Sequence, residues 1–190
     1  MHLEVDFMKF NDEAFIQEFA TFVKTIDVKS ALEVGCLSGE LIGALLDIGI
    51  EVSGIDLNPQ RDDVIQADIR TINPKGKKKY DLVFSSGLLE HYPIDEIPEI
   101  IKKMAALSKK YVLNYVPNKE CVAYQKAKAK TTADWKDELD FDIPKFEELH
   151  KSAGLEICSS GLAGAEWAKR FGPEPSEPYL VYVLAKKVGG

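Results

Sequence analysis

A chain of 190 residues, 45% apolar and 29% charged, has the size and composition of one folded domain, which excludes a fibrous repeat or a wholly disordered chain. With 31 acidic against 24 basic residues the formal charge is −7, which argues against a sequence-independent grip on nucleic acid, where lysines and arginines must neutralise phosphates. Cys36, Cys121 and Cys158 are odd in number and far apart, so neither a zinc site nor a dithiol pair is indicated, and no metal is expected.

The opening residues M-H-L-E-V-D-F-M-K-F are too acidic for a secretory signal, and no segment has the length of apolar sequence that a membrane span needs. The expectation is a cytoplasmic protein. In residues 11–26 the apolar side chains Phe15, Ile16, Phe19, Phe22, Val23 and Ile26 recur at helical spacing, with Asn11 or Asp12 as the cap. Residues 31–34 then read as a short buried strand, and residues 38–48 as a helix with Leu41, Ile42, Leu45 and Leu46 on one face. A second strand at 51–55 ends at Asp56, and a short third one runs from Val64 and Ile65 toward Asp68. The apolar run at 81–86 is a fourth strand, followed by a helix over 93–107 and a fifth strand at 111–116. This alternation of strand and helix predicts a parallel sheet with helices on both faces.

The last third has a different texture. Residues 122–142 are polar and lie over the sheet, with Lys126, Lys128 and Lys130 expected on a solvated helix face. A helix at 146–153 closes at Gly154, and strands at 155–160 and 178–185 follow with too little helix between them for a crossover, so antiparallel pairing is expected. One domain results: residues 1–28 as a helical cover, 29–120 as a ligand-binding half, and 121–190 as a second half ending in the antiparallel hairpin.

In such a sheet, ligands bind at the carboxyl ends of the strands, beside the first of them. The loop L-E-V-G-C-L-S-G, residues 32–39, stands there. Gly35 and Gly39 admit close backbone approach without naming the ligand. The acids sharpen the reading: Asp56 ends the second strand, where a carboxylate accepts ribose hydroxyls, and Asp68 beside Ile69 suits an exocyclic amine and a flat base. Glu33 would repel a pyrophosphate and favour an ammonium or sulfonium, so a cationic aminoacyl adenosine fits better than a dinucleotide. Each acid also has a plain reading, Glu33 as an ion-pair partner and Asp56 and Asp68 as caps or turn formers.

The ordered series L-E-V-G-C-L-S-G, G-I-D-L-N-P, Q-A-D-I and Y-D-L-V-F-S-S-G-L-L-E-H-Y resembles the motifs of class I S-adenosylmethionine-dependent methyltransferases, and spans residues 31–116. The resemblance implies a Rossmann-like, doubly wound α/β fold with a seven-stranded sheet, mostly parallel with the last strand antiparallel. It implies that Glu33, Gly35 and Gly39, with Cys36 packed inside the loop, frame the methionine part of S-adenosylmethionine. Asp56 would hold the ribose, Leu57 would pack on the adenine, Asp68 and Ile69 would meet its edge, and Ser85 would close the pocket. Leu37 departs from the family's usual third glycine, which bears on how closely the loop approaches the cofactor.

His91 is the candidate general base, because an imidazole titrates near neutral pH; a structural role is the alternative. Tyr92, Tyr115 and Trp135 are candidates for the acceptor pocket, or else anchors of the cover segments. The absence of an Asn-Pro-Pro-Tyr-type motif after the fourth strand, and of any added recognition domain, points to a small-molecule acceptor. A non-catalytic S-adenosylmethionine-binding sensor or scaffold is the competing reading.

Overall fold

The computed structural model describes residues 12–188, Glu174 excepted. Helix α1 (Glu13–Lys24) starts where Asp12 accepts the Ala14 N–H at 2.8 Å; Asn11, the other candidate cap, lies outside the described residues. Its apolar stripe, Phe15, Phe19 and Val23, is fully buried. Strand β1 (Ser30–Val34), helix α2 (Glu40–Asp47) and strand β2 (Glu51–Asp56) follow as the apolar periodicity requires. Strand β3 is only two residues, Ile65–Gln66, so Asp68 lies in the turn beyond it and not at its end.

Strand β4 (Tyr80–Ser86) is covered on both faces, which accounts for its unbroken apolar run. Next comes a 3-10 turn at Leu89–His91, then helix α3 (Ile97–Leu107). The helix begins later than residue 93, because Pro93 to Glu96 form a turn and Pro98 occupies the first helical turn, where its missing N–H costs nothing. Strand β5 (Ser108–Pro117) leads to helix α4 (Val122–Lys130), a 3-10 turn (Asp134–Asp137), helix α5 (Ile143–Ser152), strand β6 (Leu155–Ala163), the single-turn helix α6 (Ala165–Ala168) and strand β7 (Leu180–Lys187).

The seven strands form one sheet in the order β3-β2-β1-β4-β5-β7-β6. Strands β1 to β5 pair parallel, and β7 runs antiparallel to both β5 and β6. The order reverses between β1 and β4, which is where an open sheet of this kind offers its crevice. One face buries a core under α3 and α5, with Ile97, Ile101, Met104, Phe146 and Leu149 against Val83, Val112 and Val183. The other buries Phe15, Phe19, Leu41 and Leu45 under α1 and α2 against Leu82, Phe84 and Leu113.

One expectation for the cover segment fails. The side chain of Lys128 is only 11% exposed; its ammonium bonds Asp140 Oδ1 at 2.7 Å and lies over the Tyr124 ring at 5.5 Å. Helix α4 packs its lysine inward because acids from residues 138–140 supply the partner there.

Candidate active site

The carboxyl ends of β1, β2 and β4 converge on the loop between β1 and α2. Gly35 (φ +76°) and Gly39 (φ +71°) both need left-handed backbone, and each is also closely covered. A Cβ on Gly35 would lie 2.7 Å from Leu88 Cδ1, and one on Gly39 2.8 Å from Arg61 Cδ. Leu37 too is left-handed, at φ +38°, a conformation that costs an L-residue about 1–2 kcal/mol. Its N–H donates to Asp56 Oδ2 at 2.8 Å, while Asp56 Oδ1 accepts the Asn58 N–H at 2.7 Å. Each oxygen of Asp56 keeps lone-pair capacity for a further donor.

Glu33 is 3% exposed, and its Oε2 has no hydrogen-bond partner. Burial pushes its carboxyl well above the ordinary range; the Ile42 N–H in the first turn of α2 opposes this, and the fields of Asp56 and Glu40 add to it. A buried carboxyl with an open lone pair at a helix N-terminus, beside bare backbone, is suited to an incoming cation. Cys36 is buried against Ile42 and Val64 and its thiol is pushed up to about 12, chiefly by burial, so it packs and does not react. Gly54, on β2 opposite Glu33, is required by closeness: a Cβ there would meet Cys36 Sγ and Ile42 Cδ1, each at 2.7 Å.

Leu57 is 53% exposed, an apolar surface at the mouth of this site. Asp68 is otherwise occupied: Arg70 clamps it with Nε at 3.0 Å and Nη2 at 2.8 Å to Oδ2, its backbone N–H reaches Oδ1 at 2.8 Å, and the guanidinium lies 5.5 Å over the Tyr92 ring. This pairing holds the Asp68 carboxyl below its usual range. Asp68 therefore meets a ligand only if Arg70 gives way.

Burial bears on four further candidates, and for Tyr115 and Trp135 it favours the anchoring alternative. The Ile69 side chain is in the core under α3, which leaves only its backbone to face a ligand. Ser85 is fully buried and donates to Asn114 Oδ1 at 2.7 Å, so it builds the core instead of closing a pocket. Tyr115 is buried among Phe15, Phe19 and Tyr182, and Trp135 stacks on Tyr124 at 5.7 Å, both as anchors. His91 stays half exposed, with Nδ1 3.5 Å from Glu138 Oε1; burial lowers its pKa, so the ring is neutral at pH 7.

Arg61 and Leu88, whose side chains pack over Gly39 and Gly35, border the loop without having been singled out by the motifs. Arg61 stands in a polar loop and Leu88 in an apolar run, so neither carried a signal.

A Rossmann-like sheet of this order, with a glycine loop and a carboxylate at the end of β2, defines a nucleoside-binding domain of the class I methyltransferase type. A sequence profile of the methyltransferase domain matches residues 7–159, and the chain belongs to that family. No curated protein matches it by sequence. Among solved structures, a S-adenosylmethionine-dependent methyltransferase from Clostridium acetobutylicum ATCC 824 aligns over 96% of this chain and 95% of its own, at 12% identity and a TM-score of 0.68. An Archaeoglobus fulgidus SAM-dependent methyltransferase aligns over 90% and 94%, at 15% and 0.67. The Burkholderia thailandensis 1,6-didemethyltoxoflavin-N1-methyltransferase, with bound 1,6-didemethyltoxoflavin and S-adenosylhomocysteine, aligns over 93% and 80%, at 16% and 0.69. At these identities the likeness is one of fold. Among the described residues no helix is long and apolar enough to cross a membrane.

Proposed function

We propose that this protein binds S-adenosylmethionine and transfers its methyl group to a small-molecule acceptor. The observation that carries the reading is the unpartnered, buried Oε2 of Glu33 beside the left-handed glycine loop, a place prepared for a positive charge. The residues fit the cofactor: Glu33 for its cationic end, Asp56 with open lone pairs for the ribose, exposed Leu57 for the adenine face. When bound, that cofactor supplies an electrophilic methyl on a sulfonium.

What the chain itself contributes is position and exclusion of water. Asp56 fixes the loop through the Leu37 N–H, and the buried carboxyl of Glu33 orients a cation more strongly than it would in water. In this reading His91, half exposed on the turn after β4 and with its pKa lowered by burial, is the side chain that accepts a proton from the acceptor. That the Burkholderia relative in fold is complexed with a small heterocycle supports a small acceptor here.

Calorimetric titration of S-adenosylmethionine and S-adenosylhomocysteine tests the reading. Binding by wild type that is lost in Asp56→Ala supports it. No binding of either ligand to folded wild type would sink it, and leave the loop as a structural turn.

A further inference from the structure

A second concentration of buried acid lies where the turn after β4 meets the segment following α4. Glu90, in the Leu89–His91 turn, is 4% exposed, and its Oε2 has no hydrogen-bond partner. Its backbone carbonyl accepts the Leu139 N–H at 3.0 Å, which holds residues 138–140 against the turn. Those residues bring Glu138, with a side chain only 13% exposed, and the largely buried Asp140. The cation among them, Lys128, bonds Asp140 Oδ1 and the Glu138 carbonyl oxygen, so neither bond goes to the carboxyl of Glu90 or of Glu138. His91 stands 3.5 Å from Glu138 but is neutral at pH 7.

A buried carboxyl with an open lone pair either keeps a proton or receives a donor from a ligand. Asp140 is already engaged at both oxygens, by Lys128 at 2.7 Å and by the Gln125 Nε2 at 3.0 Å, so the open acceptor is Glu90, with the Glu138 carboxyl beside it, and two carboxyls favour a ligand that brings charge as well as hydrogens. Among the described residues no group of three or more His, Cys, Asp and Glu is arranged to hold a metal, whereas a protonated amine brings both the charge and the N–H donors that an orphaned carboxyl oxygen accepts. The seam adjoins the nucleoside site, because Leu88, two residues before Glu90, is the side chain packed over Gly35. Tyr179, whose hydroxyl is held above its ordinary pKa by burial and by the fields of Glu90, Glu138 and Asp140, belongs to the aromatic cluster behind it.

We propose that this seam is the acceptor's recognition subsite, and that it takes a protonated amine carried by the acceptor, held by the carboxyls of Glu90 and Glu138. Calling the ligand an acceptor rests on the methyl-transfer reading above; the ammonium subsite itself does not.

The test is amide-resolved NMR titration of the protein, alone and with S-adenosylhomocysteine, using methylammonium and tyramine as probes. Matched sodium chloride and the neutral 4-ethylphenol are the counterparts. The expected result is that both amines shift the amides of residues 87–92 and 138–140 while the counterparts do not, and that Glu138→Gln weakens tyramine binding about tenfold. Glu90→Gln should do the same, and Glu138→Gln keeps the test open if the Glu90 variant fails to fold. Equal shifts from sodium or 4-ethylphenol, no shift from either amine, or tyramine binding unchanged in folded Glu138→Gln would each overturn the subsite. Failure of S-adenosylhomocysteine to bind would reject the methyl-transfer reading instead, with the amine result still read on the protein alone.

Discussion

The Leu37 N–H donates to Asp56 Oδ2 at 2.8 Å and ties the loop after β1 to the end of β2. This bond explains how a leucine is tolerated at φ +38°: the backbone is held in the left-handed region by an acceptor on the neighbouring strand. Asp56→Ala removes the partner of both the Leu37 and the Asn58 N–H, and should cost about 1–3 kcal/mol of stability together with the loss of S-adenosylmethionine binding. Leu37→Gly keeps the N–H and relieves the dihedral, so its affinity should equal or exceed that of wild type. Denaturant unfolding and calorimetry on the two variants check this, and a Leu37→Gly protein that binds more weakly would show that the leucine side chain itself contributes.

Glu33→Gln keeps the shape and an acceptor for the Ile42 N–H but removes the capacity for charge. Unfolding at neutral pH should show it to be as stable as wild type or slightly more so, since a buried carboxyl is replaced by an amide. Affinity for S-adenosylmethionine should drop about tenfold or more, because each 1.4 kcal/mol of lost attraction is a factor of ten. An unchanged affinity would reduce Glu33 to a structural acid. Binding to wild type should also release protons, seen as a buffer-dependent calorimetric enthalpy, because a cation favours the ionised carboxyl.

Features carried by local pattern were legible in the sequence. The helix start at Asn11 or Asp12, the buried run of β4, the glycine loop, and the antiparallel pairing of the last two strands all follow from residues close together in the chain. What stayed hidden depends on partners far away. Nothing near Lys128 announces that Asp140 folds back to bury it, and Gly54 looks like any strand glycine until Cys36 and Ile42 are set against it. Ser85 is the clearest case. Its motif position suggested a pocket wall, whereas its hydroxyl belongs to a chain of bonds reaching residues 29 and then 36 positions further along.

That chain is fully buried: Ser85 Oγ donates to Asn114 Oδ1 at 2.7 Å, Asn114 Nδ2 lies 2.9 Å from His150 Nε2, and His150 Nδ1 lies 2.8 Å from the Phe146 carbonyl. A carbonyl only accepts, so Nδ1 carries the proton and Nε2 accepts from Asn114. Ser85→Ala orphans part of this network and should lower stability by about 1–3 kcal/mol, or several degrees in Tm, with S-adenosylmethionine affinity unchanged. A loss of affinity without a loss of stability would return Ser85 to the pocket.

The pH dependence of stability follows from three carboxyls and two imidazoles with opposed signs. Burial raises the carboxyls of Glu33 and Glu90 well above their ordinary values and that of Glu138 to about 7, so over that range the folded state binds more protons than the unfolded one. Their contribution grows as pH falls. His150 acts the other way, because burial lowers it to about 4 and the unfolded chain takes up its proton first, below about pH 6.5. His91, also lowered by burial, adds to the His150 side in the same acid range. Between about pH 8 and pH 6.5 the carboxyls therefore act with little opposition, and Tm should rise on acidification, then level off toward about pH 5 as the imidazoles offset them. Melting followed by circular dichroism across this range checks the sign, and Glu138→Gln should flatten the part of the rise centred near neutral pH. A Tm that falls steadily from pH 8 to pH 6.5 would mean that these acids are ionised in the folded protein, and that the cation they need is already supplied from within the chain.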